Sequence, residues 1–460
     1  MDLDKIKVAV VGLSSRTGVA VVEALASRGA DILVSDIKKR SQLEKQLKQL
    51  QHYDFKCDLG GHTRQLLDCD LLVVSPGVPL NIPVIKQAIA EEIPVISEVE
   101  LAYNLTEAQI VGITGTNGKT TTTELVGDIF KEGVETKVRV AGNIGVPLIS
   151  VIDDLNTDDW IIAELSSFQL EAVKNFRPQI GLFLNFTPDH LDRHHSQADY
   201  WQAKANLFSN QKSSDYAVVN KDQPEVVAAV RQSLSNIYGI SLEKELPRGV
   251  FLQGDQLVAR TPEYSGKVID RVDIPLLGNH NIYNVCFAIQ TALLAGINLT
   301  TIKKVITKFE AAAHRLEMVI TTEKNITIID DSKATNPAAA AEAIKAIEKP
   351  LVLIAGGQDR RADFSKLAKL IVKRVKKVIF MGETAEKLTE AVLQAGFDKN
   401  NLEIVKNMEN AVQAACNSAE TGDCILLSPG CPSWDMYSSY RQRGKEFNRN
   451  IKKYFNGSVS

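Results

Sequence analysis

Short apolar, β-branched runs recur along the chain, each closing on a glycine or an acid and followed by apolar residues at helical spacing. Val8-Ala-Val-Val11 ends at Gly12 and precedes a predicted helix from Val19 to Arg28, while Asp31-Ile-Leu-Val-Ser-Asp36 and Leu71-Leu-Val-Val-Ser-Pro-Gly77 read as further strands. A second series contains Ile110-Val-Gly-Ile-Thr114, Trp160-Ile-Ile-Ala163 and Ile180-Gly-Leu-Phe-Leu184, and closes with Leu277-Gly-Asn-His-Asn-Ile-Tyr-Asn284 entering a helix that stays apolar on one face through Leu294. A third series contains Ile326-Thr-Ile-Ile-Asp-Asp331, Leu351-Val-Leu-Ile-Ala355 before Gly356-Gly357, Lys377-Val-Ile-Phe380, and Cys424-Ile-Leu-Leu-Ser428 before Pro429-Gly430, with a last helix through Tyr454. Runs of this kind suit strands covered on both faces, and their alternation with helices predicts an α/β protein with mostly parallel sheets.

Single cores rarely grow beyond roughly 250 residues, so a chain of 460 residues is expected to divide. The three series place domains at 1–98, 99–311 and 312–460. The first and third read as Rossmann-like, and the second as a sheet carrying a phosphate-loop type of turn.

The segment Gly112-Ile-Thr-Gly-Thr-Asn-Gly-Lys-Thr-Thr121 is a strand, a glycine-rich turn and a helix start, which together point backbone amides and a helix dipole at a polyphosphate. Lys119 is then placed for β- and γ-phosphates and the Thr120 hydroxyl for magnesium. Ile113 stands where the usual pattern has its first glycine. Glu164 follows the strand Trp160 to Ala163 at the carboxyl edge of the sheet, where a second oxygen ligand is needed, although a lone glutamate at a strand end is equally well a solvated side chain or a cap. Asn185-Phe-Thr-Pro-Asp-His-Leu-Asp-Arg-His-His195 offers two carboxylates and three histidines, either as a second metal or phosphate site or as a charged surface loop. Arg315, Asp331, Lys333 and the turn Gly356-Gly-Gln-Asp-Arg-Arg361 put charge at strand ends of the third region, where an anion can be held. These residues alone reach a magnesium-ATP enzyme with a nucleotide-like first domain, and no further.

Composition narrows the reading by exclusion. A net charge of -3 with 24% charged residues suggests neither a nucleic-acid partner nor an anionic membrane, and no basic patch interleaved with aromatics is seen. No apolar stretch approaches the ~18 residues of a spanning helix, and the start MDLDKIKVAVVGL lacks the cleavage pattern of a secretory signal. The six cysteines form no Cys-x-x-Cys pair, as in a reduced, cytoplasmic protein. A nicotinamide dehydrogenase would use Asp36, about 20 residues after Gly12, but Gly12-Leu-Ser-Ser-Arg-Thr-Gly18 lacks G-x-G-x-x-G and the loop at 115 would be idle. A non-catalytic nucleotide-gated protein would keep Lys119 and dispense with Glu164, His190 and Lys204.

Six ordered motifs resemble the Mur ligase family across essentially the whole chain: Gly115-Thr-Asn-Gly-Lys-Thr120, Glu164-Leu-Ser-Ser-Phe-Gln-Leu170, Asp189-His-Leu-Asp-Arg-His194, His280-Asn-Ile-Tyr-Asn284, His314-Arg315 and Asp331-Ser-Lys-Ala-Thr-Asn336. Within the family the second and sixth, with Leu427-Ser-Pro-Gly-Cys-Pro-Ser-Trp-Asp435, look most like the D-glutamate-adding branch. The resemblance implies ATP-driven ligation of D-glutamate to UDP-N-acetylmuramoyl-L-alanine through an acyl phosphate, in the cytoplasmic synthesis of peptidoglycan precursors. It implies ATP and two magnesium ions as cofactors, and a monomer is expected.

Carried onto this sequence, the resemblance assigns ATP to Gly115, Thr116, Asn117, Gly118, Lys119, Thr120 and Thr121, with Asn281 and Asn284 on the adenine side and Arg315 and Asp331 from the third domain. Thr120, Glu164, His190 and Lys204, the last as a carbamate, would serve the metals. The UDP-sugar would meet Ser15, Arg16, Thr17, Asp36, Ser75, Pro76, Gly77, Asn143 and His190. D-Glutamate would meet Lys333, Thr335, Arg360, Ser433, Trp434 and Tyr440, and Lys119, Glu164, His190, Lys204 and Lys333 would be catalytic. Arg360 replaces the usual lysine and Tyr440 the usual phenylalanine, so charge is kept at 360 while geometry changes. The Gly12 to Gly18 loop is one residue longer than is common.

Overall fold

The computed structural model describes residues 1–189, 193–194, 196–310 and 313–456. It contains three sheets, and the apolar runs form their inner strands. The first comprises β1 (Lys7–Val11), β2 (Asp31–Asp36), β3 (Lys56–Leu59), β4 (Leu71–Val74) and β5 (Val95–Ser97), all parallel in the order β3-β2-β1-β4-β5. Its first helix, Thr17–Ala26, buries Val19, Val21, Val22 and Leu25 on a core that includes Val8, Val10, Ile32 and Val34.

The second sheet has nine strands: β6 (Gln109–Thr114), β7 (Val138–Gly142), β8 (Trp160–Glu164), β9 (Ile180–Phe183), β10 (Tyr216–Asn220), β11 (Asn236–Ser241), β12 (Gly249–Gln253), β13 (Gln256–Arg260) and β14 (Ser265–Asp270). Their order is β14-β13-β12-β11-β10-β9-β6-β8-β7, parallel except for the antiparallel β12-β13-β14 meander. The apolar-run reading does not predict that meander. Its signal is the two-residue Gly254-Asp255 loop between Gln253 and Gln256, a hairpin sequence with glycine at φ +59°.

The third sheet holds β15 (Glu317–Thr321), β16 (Thr327–Asp330), β17 (Leu351–Ala355), β18 (Val375–Phe380), β19 (Leu402–Ile404) and β20 (Cys424–Leu427) in the order β15-β16-β20-β17-β18-β19. Only β15 is antiparallel. The expected α/β class with mostly parallel sheets is therefore the class observed. Two compact units are resolved, Met1–Ile274 with Tyr283–Lys308, and Pro275–Ile282 with Phe309–Ser460. The expected boundary at 311 and 312 falls outside the described residues. No described helix is long and apolar enough to cross a membrane.

Candidate active site

Parallel strands leave their carboxyl ends along one edge of each sheet, and nearly every candidate side chain sits at such an edge, as expected for ligand sites of α/β sheets. At the edge of the second sheet, β6 ends at Thr114 and the chain turns through Gly115 to Gly118 into the helix Lys119–Gly133. Gly118 has φ +81°, and a Cβ there would lie 2.4 Å from Asn284 Oδ1, so the turn needs glycine on both counts. The loop is held from outside by Asn185 at the end of β9: its Oδ1 accepts from the Asn117 amide at 2.8 Å, its Nδ2 donates to the Asn117 carbonyl at 2.9 Å, and its carbonyl accepts from the Thr116 amide at 3.0 Å. Thr116 Oγ1 donates to the Thr187 carbonyl at 3.0 Å and meets Tyr200 Oη at 3.2 Å. Thr120 is half-buried on the first turn of the helix and Thr121 is buried.

Lys119 Nζ donates to the carbonyls of Gly115 and Thr116 at 2.8 and 2.9 Å, so the ammonium arches over its own loop, where a polyphosphate would lie. Lys204, 1% exposed, donates to the same Gly115 carbonyl at 2.8 Å and lies 4.7 Å from the Tyr200 ring centroid. Burial, reinforced by the positive charge of Lys119, holds its amine well below the ordinary lysine range. Asp189 and Glu164 pull the other way.

Glu164 is 1% exposed at the end of β8. One carboxylate oxygen accepts from Asn143 Nδ2 at 2.7 Å, and the other, Oε2, is buried without a hydrogen-bond partner among the described residues. An ionisable group buried with an unfilled acceptor is costly unless a cation or donor completes it, so the donor set fits a hard, oxygen-seeking metal. His190, another of the expected metal residues, lies outside the described residues. Two neighbours of the same segment are fixed: Arg193 donates to Glu171 at 3.0 Å, and His194 is held by Ser167 Oγ at 2.9 Å and Glu171 at 3.2 Å.

At the edge of the first sheet, Asp36 closes β2 with its carboxylate already engaged, accepting from the amides of Leu13 at 2.7 Å and Lys38 at 2.8 Å. Ser75 Oγ donates to the Gly12 carbonyl at 2.6 Å, which brings the Ser75-Pro76-Gly77 turn beside the first glycine loop. Ser15 and Arg16 are exposed and Thr17 half-buried at the start of the helix Thr17–Ala26. Arg16 donates to the carbonyls of Gly142 and Asn143, the latter at 3.2 Å. The candidate UDP-sugar residues are thus joined through Asn143 to Glu164. Sequence reasoning assigned no role to Asn185, Thr187 or Tyr200 as supports of the phosphate loop, because only the pairing of β6 with β9, for the first two, and the packing of the helix Gln197–Ala205, for Tyr200, bring them there.

Within the second compact unit, Asp331 is buried, accepting from Ser428 Oγ at 2.7 Å and the Leu316 amide at 3.3 Å. Burial pushes its carboxyl up to about 7, against the pull of those donors and of Arg315. His314, just before Arg315, pairs with Asp330 at 2.7 Å, which raises the imidazole above its ordinary range. Asn281 Nδ2 donates to the Leu277 carbonyl at 2.8 Å. The D-glutamate candidates come together as two aromatic-capped cations. Lys333 Nζ lies 4.0 Å from the Tyr440 ring centroid, and the Arg360 guanidinium carbon 4.6 Å from the Trp434 ring. Ser433 is buried, Thr335 half-buried and Trp434 exposed.

A phosphate loop, beside it a buried carboxylate oxygen without a partner among the described residues, and an acid-and-cation cluster on a second α/β unit fit a nucleotide-using enzyme. Family models match three successive parts of the chain: "Mur ligase MurD-like, N-terminal domain" over residues 6–97, "Mur ligase middle domain" over 113–292 and "Mur ligase, glutamate ligase domain" over 314–431. The chain belongs to the Mur ligase family. It is 42% identical over 455 residues to the UDP-N-acetylmuramoylalanine--D-glutamate ligase of Alkaliphilus metalliredigens, covering 98% of both chains. It is 40% identical over 453 residues to the enzyme of the same name from Clostridioides difficile, covering 98% of this chain and 99% of that one. Among solved structures, a pseudomurein peptide ligase type C from Methanothermus fervidus superposes with a TM-score of 0.60 at 18% identity, covering 98% of this chain and 100% of that one, a likeness of fold.

Proposed function

We propose that this chain joins D-glutamate to the L-alanyl carboxylate of UDP-N-acetylmuramoyl-L-alanine at the expense of ATP, in the cytoplasmic assembly of peptidoglycan precursors. The observation that carries the reading is the pairing of the Gly115–Thr120 loop with Glu164, whose Oε2 is buried without a partner among the described residues, in a chain that aligns end to end with ligases of that name. A carboxylate does not react with an amine until one of its oxygens becomes a leaving group. Transfer of the γ-phosphoryl group of ATP to the alanyl carboxylate, releasing ADP, forms an acyl phosphate. The D-glutamate amine, having lost its proton, attacks the acyl carbon, and phosphate departs as the amide forms.

Such a sequence asks the protein chiefly for positioning and for neutralisation of charge. The loop amides and Lys119 bind the phosphates, Asn284 and Asn281 take the adenine side, and Arg315 with Asp331 holds the nucleotide from the third domain. Thr120, Glu164, His190 and Lys204 would hold magnesium, two ions in this reading, which would supply positive charge to offset that of the phosphates. Lys204, buried and with its amine biased toward the neutral form, is suited to take up carbon dioxide as a carbamate and so reverse its charge. Ser15, Arg16, Thr17, Asp36, Ser75, Pro76, Gly77 and Asn143 receive the UDP-sugar. Lys333 and Arg360 meet the two carboxylates of D-glutamate, with Thr335, Ser433, Trp434 and Tyr440 around them.

The test is phosphate release from magnesium-ATP with UDP-N-acetylmuramoyl-L-alanine and, in parallel, D-glutamate, L-glutamate, L-alanine or a diamino acid. Release that depends on D-glutamate alone is the expected result. Release with another amino acid would move the assignment to a sister ligase, and none with any acceptor would overturn it.

A further inference from the structure

Arg443 is 2% exposed in the helix Tyr440–Asn456, and all three guanidinium nitrogens are engaged. Nε donates to Ser332 Oγ at 3.0 Å, Nη2 to the Ser332 carbonyl at 2.8 Å, and Nη1 to the carbonyls of Cys431 and Pro432 at 3.0 and 3.3 Å. These partners are neutral oxygens on two different loops at the carboxyl edge of the third sheet. A third loop closes on the same point. The Gln358 amide donates to the Pro432 carbonyl at 2.9 Å, and a Cβ on Gly357 would lie 2.3 Å from that oxygen and 3.1 Å from Arg443 Nη1. Ser332 Oγ in turn donates to the Tyr440 carbonyl at 2.9 Å, tying the start of the helix to the first loop.

Every residue proposed above for D-glutamate stands on one of these segments. Lys333 and Thr335 follow Ser332, Arg360 follows Gly357, Ser433 and Trp434 follow Pro432, and Tyr440 opens the helix. Both cation-aromatic pairs span two segments, Lys333 to Tyr440 and Arg360 to Trp434. A small relative shift of the loops would therefore spoil both at once. Buried charge is retained where its hydrogen bonds are complete, and removing one partner then disturbs everything it held.

We infer that Arg443, although out of reach of solvent, is the positioning residue of the amino-acid site: it locks three loops and a helix start so that Lys333 and Arg360 stand at the spacing a dicarboxylate amino acid requires. The inference rests on the proposed D-glutamate reading. A merely structural arginine would, when replaced, lower stability and affect all three substrates alike. A positioning arginine acts on one KM.

The experiment compares Arg443→Lys, Arg443→Met and Ser332→Ala with the unmodified full chain, measuring thermal midpoint, kcat and the KM for each substrate separately. Arg443→Met is expected to raise the D-glutamate KM at least tenfold, with the KM values for ATP and the UDP-sugar within about twofold. Arg443→Lys, which keeps the charge but not the fork, should recover only part of that loss. Ser332→Ala removes one hydroxyl, which accepts from Arg443 Nε and donates to the Tyr440 carbonyl, keeps the fold if the arginine variants do not, and should raise the same KM several-fold. Folded variants whose D-glutamate KM is unchanged, or whose three KM values rise together, would overturn the inference. If the unmodified chain releases no phosphate in response to D-glutamate, the functional reading falls first, and the inference with it.

Discussion

Lys119 and Glu98 show how different the consequences of one charged side chain can be. The Lys119 ammonium donates to the carbonyls of Gly115 and Thr116 in its own loop, and its loss would remove the charge proposed to face the γ-phosphate. Lys119→Ala is expected to lower kcat on the order of a thousandfold with little change in thermal midpoint, and near-normal turnover would sink the site assignment. Glu98 is buried with Oε1 accepting from the Ile149 amide at 2.8 Å and Oε2 unpartnered among the described residues. Burial pushes its carboxyl up to about 7 against the pull of the Ile149 and Leu148 amides, Arg16 and Gln169. The unfolded chain releases that proton near 4.5 and the folded chain near 7, so stability is highest below the first value and declines as pH rises to the second, by on the order of 3 kcal/mol at most. Denaturant midpoints at pH 5 and pH 8 should show the decline, and Glu98→Gln should lessen it, the part left belonging to Asp331, whose carboxyl burial also pushes up to about 7. An unchanged slope in that variant would remove Glu98 as the cause.

The strand-loop-helix units show how local sequence becomes a binding surface. β6 supplies an apolar run, Gly115 and Gly118 supply the positive φ values of +156° and +81°, and the helix beginning at Lys119 turns its amides outward. Gly118→Ala is expected to cost about 1–2 kcal/mol of backbone strain and to push the new Cβ against Asn284 Oδ1. ATP binding should weaken by about tenfold or more, while the UDP-sugar, proposed to bind mainly at the edge of the first sheet, should bind as before. Isothermal titration with each ligand separates the two. Equal weakening of both would mean that the loop acts through global stability. The loop and its helix were legible because glycine, lysine and threonine fall at fixed offsets after a strand. Its brace, Asn185, was not, since nothing in Asn185-Phe-Thr-Pro singles out the asparagine until β9 pairs beside β6 and places it 2.8 Å from the Asn117 amide.

Across the whole molecule, the phosphate loop and the D-glutamate candidates belong to different compact units, yet phosphoryl transfer and amine attack concern one carboxylate. Closure on the full substrate set is therefore expected, of the kind by which ligases exclude water from an acyl phosphate. Small-angle scattering with an ATP analogue, UDP-N-acetylmuramoyl-L-alanine and magnesium should show a smaller radius of gyration than the free protein, and superimposable profiles would count against closure.

The sequence by itself determined the α/β class, the three series of strands, the phosphate loop and the family, because apolar periodicity and glycine-lysine spacing are local and survive without knowledge of the fold. It also named most of the charged candidates, including Glu164, Asp331, Lys333 and Arg360. It did not reveal the β12-β13-β14 meander to a reading based on short apolar runs, since those strands mix polar with apolar residues. Only the tertiary structure decided which of these residues act on one another. Asn143 meets Glu164 because β7 lies beside β8, Lys204 is buried against a carbonyl 89 positions away, and Arg443 reaches back to Ser332 across 111 positions. Burial and close approach are properties of that packing, and they turn Lys204 and Arg443, surface-like in the sequence, into buried and hydrogen-bonded groups of the folded chain.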